Sequence, residues 1–255
     1  MRGQIKRAIP IVVWQALLGI AVIASWQALV NAGKLDKFFF SRPTDIAVRI
    51  GTWIRTGSIF PHLLVTMEEA TLAFILGGAS GVLLGFGLAR APRLGALLDP
   101  YIRLLNALPR VVLAPIFLLW FGLGIWSKVV LGITVVFFIV FFNTHQGVRE
   151  VDPVVLNNVR MLGASEWQLI RHVLIPSALT WVFSSLHISV GFAMIAVVVG
   201  EYLGASRGVG YLISQAEGTF DTTGVFAGMA VLSAVVLLVG WGVNRLERWL
   251  LRWKA

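Results

Sequence analysis

The fold class this sequence predicts is an all-α polytopic membrane protein with about six transmembrane helices. Three observations lead there. The 255 residues are 58% hydrophobic with a mean hydropathy of +0.85, and only 13% are charged, about half the proportion usual in soluble domains. Apolar runs of about 20 residues recur, the length a helix needs to cross a bilayer. The alternating segments of about ten residues that a membrane β-barrel requires are not visible.

Charge and composition exclude several functions. In a soluble protein a net charge of +9 would suggest nucleic acid; in a chain this apolar it belongs to membrane topology, and no nucleic-acid partner is expected. There is no cysteine, so disulfides and thiolate metal sites are ruled out. The four histidines show no metal-ligand spacing, and no metal site is expected.

Taken in order, residues 1–7 carry Arg2, Lys6 and Arg7. Residues 9–30 form the first span, with Trp14 and Trp26 as interface anchors. The run is longer than a signal-peptide core and more spans follow, so it reads as an uncleaved helix. Residues 34–61 form the first outside segment. In it Thr44 is expected to cap a short surface helix, with Ile46, Ile50, Trp53 and Ile54 on one face and Gly57 at its end.

The second span covers residues 63–88, where Gly77, Gly81 and Gly85 recur at every fourth position and invite close helix approach. Glu68 and Glu69 at its outer end read as solvated or interfacial carboxylates. The third span, residues 101–121, contains Pro109 and Pro115 and is expected to be kinked or broken. On it Asn106 and Arg110 stand four apart on one face. Arg110 either pairs with backbone carbonyls freed at Pro109 or with a neighbouring acid, or faces a cavity; the cavity is the preferred reading. Residues 122–127 form a short outside turn, and residues 129–142 a very apolar fourth span.

The longest polar interruption on the basic side, residues 143–176, comes next. Val155, Val159 and Leu162 have helical spacing, Gly163-Ala164-Ser165 breaks the pattern, and a second amphipathic piece places Trp167, Ile170, Val173 and Leu174 on one side. Two short helices bent at a glycine make a knob, and a knob is a docking surface. The fifth span, residues 178–200, carries a stripe of Thr180, Ser184, His187, Gly191, Met194, Val198 and Glu201 stepping by three or four. Its hydroxyls either bond to a neighbouring helix or line a path; His187 favours a cavity, because an ionisable group is costly in lipid. Residues 201–223 form a loop with Gly204, Gly208 and Gly210 as turn residues, and Glu201 reads as a helix-end acid. Residues 224–243 form the sixth span, followed by Arg245, Arg248, Arg252 and Lys254.

Basic residues at both ends, at the Arg90 turn and in the knob place these segments on the cytoplasmic side. Lys34, Lys37, Arg42, Arg49 and Arg55 disagree. No phosphate-binding loop exists, since Gly33-Lys34 is followed by Leu35. No nucleophile elbow or zinc-protease motif appears either, so the chain is not expected to be an enzyme.

The knob resembles the EAA loop of permease subunits in ABC importers: Glu-Ala-Ala, three residues, Gly, then about nine residues before a hydrophobic-x-hydrophobic-Pro ending. Asn157-Asn158-Val159, Gly163 and Val173-Leu174-Ile175-Pro176 fall in those places. The resemblance covers nearly the whole chain and is strongest to the nitrate, sulfonate, taurine and bicarbonate branch. There Leu108-Pro109-Arg110, Leu119-Trp120-Phe121-Gly122-Leu123-Gly124, Asn143-Thr144 and Gly208-Val209-Gly210 also match. Two positions depart from the family: Asn157 stands where the pattern has its first Glu, and Glu69 where related permeases often have a basic residue.

The resemblance implies a type I ABC importer permease fold in one domain over residues 1–255, with a coupling loop at about 146–176. It implies two ATPase subunits that hold ATP and Mg, this chain needing no cofactor of its own, and a periplasmic or lipid-anchored substrate-binding protein. A second copy of this chain and membrane lipid complete the partners, in the cell inner membrane with both termini cytoplasmic. The expected coupling residues are Asn157, Asn158, Arg160, Gly163, Ala164, Ser165, Glu166 and Trp167. The expected path residues are Asn106, Arg110, Ser184, His187 and Gly191, with Glu201 as outer gate or dimer contact. The solute is expected to be small and usually anionic. A secondary transporter or channel, the competing class, usually shows a repeated half and intramembrane acid pairs, and neither is evident.

Overall fold

The computed structural model describes residues 11–250, with the backbone alone for residue 244 and residues 246–250. Arg2, Lys6, Arg7, Arg252 and Lys254, and the side chain of Arg248, lie outside what is described. The described residues form helices α1 (Ile11–Asn31), α2 (Lys37–Phe40), α3 (Pro43–Thr56), α4 (Ile59–Arg90), α5 (Pro92–Ala107), α6 (Arg110–Phe121) and α7 (Ile125–Arg149). After these come α8 (Pro153–Met161), α9 (Glu166–Leu169), α10 (Ile175–Leu203), α11 (Val209–Gly218) and α12 (Thr222–Leu250).

The core is α4 against α7. At Gly81 a Cβ would come within 2.8 Å of the Phe137 carbonyl oxygen, and at Gly85 within 2.7 Å of that of Phe141. The glycine repeat therefore does what its spacing predicts: it lets two backbones touch. Gly77 faces Val136 and Gly85 faces Thr144, so α4 and α7 run parallel. Gly147 against Trp181 and Gly200 against Lys128 set α10 antiparallel to α7. Because α4 and α7 run the same way, residues 91–124 must return from one end of the molecule to the other. Among the described residues five helices are long and apolar enough to cross a membrane, and the bent return brings the candidate spans to six.

The return is broken at Pro109, as its prolines predict, and it starts at Pro92, earlier than the expected residue 101. It is two helices, α5 and α6, set at 90°. Pro109 has no amide to donate, and Leu108 before it is extended at ψ 131°, as a residue preceding proline prefers. Asn106 and Arg110 thus flank a break and do not share a helix face. Pro115, by contrast, sits inside α6.

Other boundaries move as well. The helix cap before α3 is Arg42, with Pro43 first in the helix, because proline suits a position whose N–H has no helical partner. Thr44 donates its amide to the Gln27 side chain at 3.2 Å instead. Gly57 ends α3 at φ +73°, and Ile46 is its buried residue, while Ile54 is exposed. α7 runs through Asn143 to Arg149, so the knob begins seven residues later than its polarity suggested. At its far end the helix does not restart at Pro176. Residues 166–203 are continuous, with a π-helical turn at Ile170–Leu174 just ahead of the proline that cannot donate. The loop at residues 201–223 contains a helix, α11, that the glycines concealed. At α1, Trp14 is exposed, Trp26 packs on Phe226 with ring centroids 5.3 Å apart, and Val30 is buried.

Candidate functional site: a docking knob and a buried latch

The knob is α8, a tight turn and the start of the 166–203 rod. Asp152 caps α8 by accepting from the Val154 amide at 2.7 Å, and Pro153 opens the helix. At the other end Gly163 adopts φ +82°. Its amide donates to the Arg160 carbonyl at 2.9 Å and that of Ala164 to Val159 at 3.3 Å, a Schellman stop. A capping box follows at once: Ser165 Oγ accepts from the Gln168 amide, and the Gln168 side chain accepts from the Ser165 amide at 2.8 Å. The bend is therefore fixed by hydrogen bonds on both sides of one left-handed residue.

The knob is tied to the body by Glu166, which accepts from Arg90 at 2.6 Å and from Arg160 at 3.4 Å. Beneath it Val148, Val151, Leu174 and Ala178 are buried, with Leu156, Ile170 and Val173 packed against them. This corrects the expected faces. Val155, Leu162 and Trp167 point outward, and Leu156 packs inward in their place. At the tip Met161, Leu162 and Trp167 are 80%, 87% and 65% exposed. Asn157 and Asn158 stand exposed on α8, and Ala164 is half-buried. The expected coupling residues thus lie on one protrusion, and its tip is apolar.

At the opposite end lies a cluster that the sequence did not disclose. Three consecutive amides at the start of α11 are met by side chains of α4 and α10. The Gly208 nitrogen lies 3.2 Å from His62 Nδ1, Val209 donates to Thr66 Oγ1 at 2.9 Å, and Gly210 donates to Glu201 Oε2 at 2.7 Å. Thr66 also donates to Glu201 Oε1 at 2.6 Å. A carboxylate at a helix N-terminus is favoured by the helix dipole as well as by the bonds. Gly208, at φ +115°, would drive a Cβ to 2.2 Å from the Glu201 carboxyl carbon, and Gly210 to 2.4 Å from the Val198 carbonyl oxygen. Both glycines are needed for approach.

Glu69 and Lys128 are buried beside Glu201. Lys128 Nζ donates to the carbonyls of Leu123 at 2.7 Å and Gly124 at 3.0 Å. Glu69 is therefore not the solvated carboxylate that its place in the sequence suggested. α4 begins ten residues earlier and carries Glu69 inward, to 2% exposure, while Glu68 stays exposed. Nor does Glu201 offer a contact to a second copy: at 1% exposure it is enclosed by its own chain. Lys128 was hidden by its position between a turn and an apolar run; the one available signal was a lysine at the start of an uninterrupted span.

The expected path residues separate into two groups. Arg110 spends three hydrogen bonds on the break itself, on the carbonyls of Asn106 and Leu108, both at 2.5 Å, and on Asn106 Oδ1 at 2.7 Å. Its guanidinium lies 4.9 Å from the Phe138 ring centre. This is the pairing with carbonyls freed at Pro109, in place of the preferred cavity. On α10, Thr180 and Ser184 are exposed, His187 and Gly191 half-buried, and Met194 and Glu201 buried. The stripe is open over its first half and enclosed over its second.

Comparison with known proteins places this geometry. Residues 81–253 match the family described as binding-protein-dependent transport system inner membrane component. An aliphatic sulfonates transport permease protein, SsuC, of Bacillus subtilis (strain 168) is 34% identical over 93% of this chain and 86% of its own length. The riboflavin transport system permease protein RibX of Chloroflexus aurantiacus is 32% identical over 95% and 92%. The taurine transport system permease protein TauC of Escherichia coli (strain K12) is 27% identical over 94% and 90%. Among solved structures, the MetNI methionine ABC transporter superposes with a TM-score of 0.60 at 20% identity, covering 77% of this chain and 95% of that one. An amino acid ABC transporter with histidines gives 0.62 at 18%, covering 79% and 96%. These two share the fold. A helical body with five to six candidate spans, a glycine-bent knob and a family match over most of its length identifies the chain as a member of the binding-protein-dependent inner membrane component family, the multi-pass permeases of ABC importers.

Proposed function

We propose that two copies of this chain form the membrane path of an importer for a small anionic solute, a sulfonate such as taurine before nitrate or bicarbonate. Its driving force comes from two separate ATPase subunits, which bind ATP and Mg, and its solute from a periplasmic or lipid-anchored binding protein. The knob carries this reading. Its bend is braced by two sets of caps, it is pinned to α4 by Glu166, and it exposes Met161, Leu162 and Trp167. A stiff protrusion with an apolar tip suits a socket on a partner. The relatives named for sulfonates and taurine favour the solute class. The relative named for riboflavin is of similar identity and favours a second reading, an aromatic vitamin.

The knob end is taken as cytoplasmic, with both termini on that side. Arg90, Arg93, Arg149, Arg160 and Arg171 gather there. At the other end Lys37 is paired with Asp45 at 2.9 Å and Arg49 with Asp221 at 2.7 Å, which reduces the net positive charge that disagreed with this orientation.

The test is a purified complex assayed for ATP hydrolysis stimulated by the binding protein. Gly163→Val strains a residue at φ +82°. Stimulation is expected to fall to the basal level with membrane insertion intact. Normal stimulation would remove the knob from its coupling role. Uptake of labelled taurine against riboflavin in vesicles separates the two solute readings.

A further inference from the structure

A cavity of about 340 Å³ opens at the knob end between α5 and α7, and a second of about 410 Å³ shares much of its lining. Small-molecule sites occupy about 300–1,000 Å³, so either volume suffices for one small solute. The charges around it decide what kind. Arg90 and Arg160 share Glu166, and Arg103 is held by Asp99 at 2.7 Å. Glu150, next in the chain to Arg149, accepts from Gln146 at 2.6 Å. Among the described residues no carboxylate oxygen lies within 4 Å of the Arg149 guanidinium. Arg149 lines the cavity without a salt bridge of its own, in the same lining as the Arg103–Asp99 pair and beside His145, whose ring stacks on Phe141, so two guanidinium groups stand there against one carboxylate. Ile102, Phe142 and Trp181 supply an apolar wall in the same cavity.

We propose that this cavity binds a small organic anion, with Arg149 holding the acidic head group and the Ile102, Phe142 and Trp181 wall covering its alkyl part. The proposal rests on the reading of this chain as an anion importer and deepens it by naming where the solute is last held before release. An arginine fork suits a sulfonate or carboxylate, which can take two of its donors at once. A concave site with one polar and one apolar wall fits a short amphiphile. The convex apolar surface that fits a protein partner is the knob, a separate feature of the same end.

The test uses the permease–ATPase complex in detergent without nucleotide, and radiolabelled taurine in equilibrium dialysis. The wild-type complex is expected to bind it saturably. Arg149→Gln is expected to weaken binding about ten- to hundredfold, the usual consequence of losing a charged hydrogen bond, with Arg149→Lys in between. If wild-type vesicles import taurine while Arg149→Gln binds it as tightly as wild type, the site is wrong and the transport function stands. If Arg149→Gln sheds its ATPase subunits on gel filtration, Arg149 is a subunit contact, and the site is again wrong. If wild-type vesicles import no sulfonate at all, the solute class and the site fall together.

Discussion

Thr66 and Glu201, 135 positions apart in the chain, are joined by a 2.6 Å hydrogen bond between two buried side chains. Thr66 also accepts the Val209 amide at 2.9 Å, so one hydroxyl connects α4, α10 and α11. Thr66→Val keeps the shape and leaves that amide without an acceptor. It is expected to cost about 1–3 kcal/mol and to speed hydrogen exchange at Val209. Unchanged exchange there would show that α11 is held by other contacts.

The α4–α7 contact gives a paired prediction. Gly81→Ala places a methyl 2.8 Å from the Phe137 carbonyl oxygen, whereas Gly87→Ala meets nothing within 4 Å. The first is expected to lower stability by about 1–3 kcal/mol. The second should raise the melting temperature slightly, through a helix propensity gain of up to about 1 kcal/mol. Equal effects in a thermal melt would contradict the close packing.

Arg110 offers a choice between charge and shape. If the guanidinium clamps the bend, Arg110→Lys should destabilise nearly as much as Arg110→Gln, because a lysine ammonium lacks the planar fork that spans Asn106 and Leu108. If charge alone matters, Lys should restore uptake that Gln loses. The clamp geometry favours the first outcome, measured as melting temperature and uptake in the same preparations.

The exposed half of the α10 stripe predicts where two copies meet. Because the chain has no cysteine, single replacements report cleanly. Ser184→Cys is expected to crosslink between copies, and Ser185→Cys, buried at 0% exposure, is not. Absence of crosslinking along Thr180 to Met194 in an intact complex would move the interface elsewhere.

Much of this was legible in the sequence, for a physical reason. The spans, the Gly77–Gly81–Gly85 face and the Gly163 bend depend on local composition and on backbone freedom, and both are written in order along the chain. The latch was not legible. Its residues come from four helices, His62 and Thr66 from α4, Lys128 from α7, Glu201 from α10 and Gly210 from α11, and Glu69 reads as solvated because burial by other helices leaves no mark on its neighbours in sequence. The place of Arg110 is not legible for a related reason. Its partners are carbonyls, which every residue has, and only the 90° break at Pro109 turns two of them towards it.

The rod of residues 166–203 touches α4 at both extremities, and the two attachments differ in strength. Arg90 with Glu166 is a solvent-exposed pair, its side chains 32% and 60% accessible, and such pairs are worth at most about 1 kcal/mol. Thr66 with Glu201 is enclosed, and breaking a buried hydrogen bond so that its partners are left unsatisfied costs about 1–3 kcal/mol. A load applied at Trp167 would therefore release the near fastening before the far one. Between these two fastenings the rod is packed on α7 and α4, with Trp181 against Gly147 and Leu186 against Gly78, so movement at the knob has to carry that packing with it. Over 38 residues, roughly 57 Å of helix at 1.5 Å per residue, a tilt of a few degrees about the Glu201 end corresponds to a sweep of several ångströms at the knob.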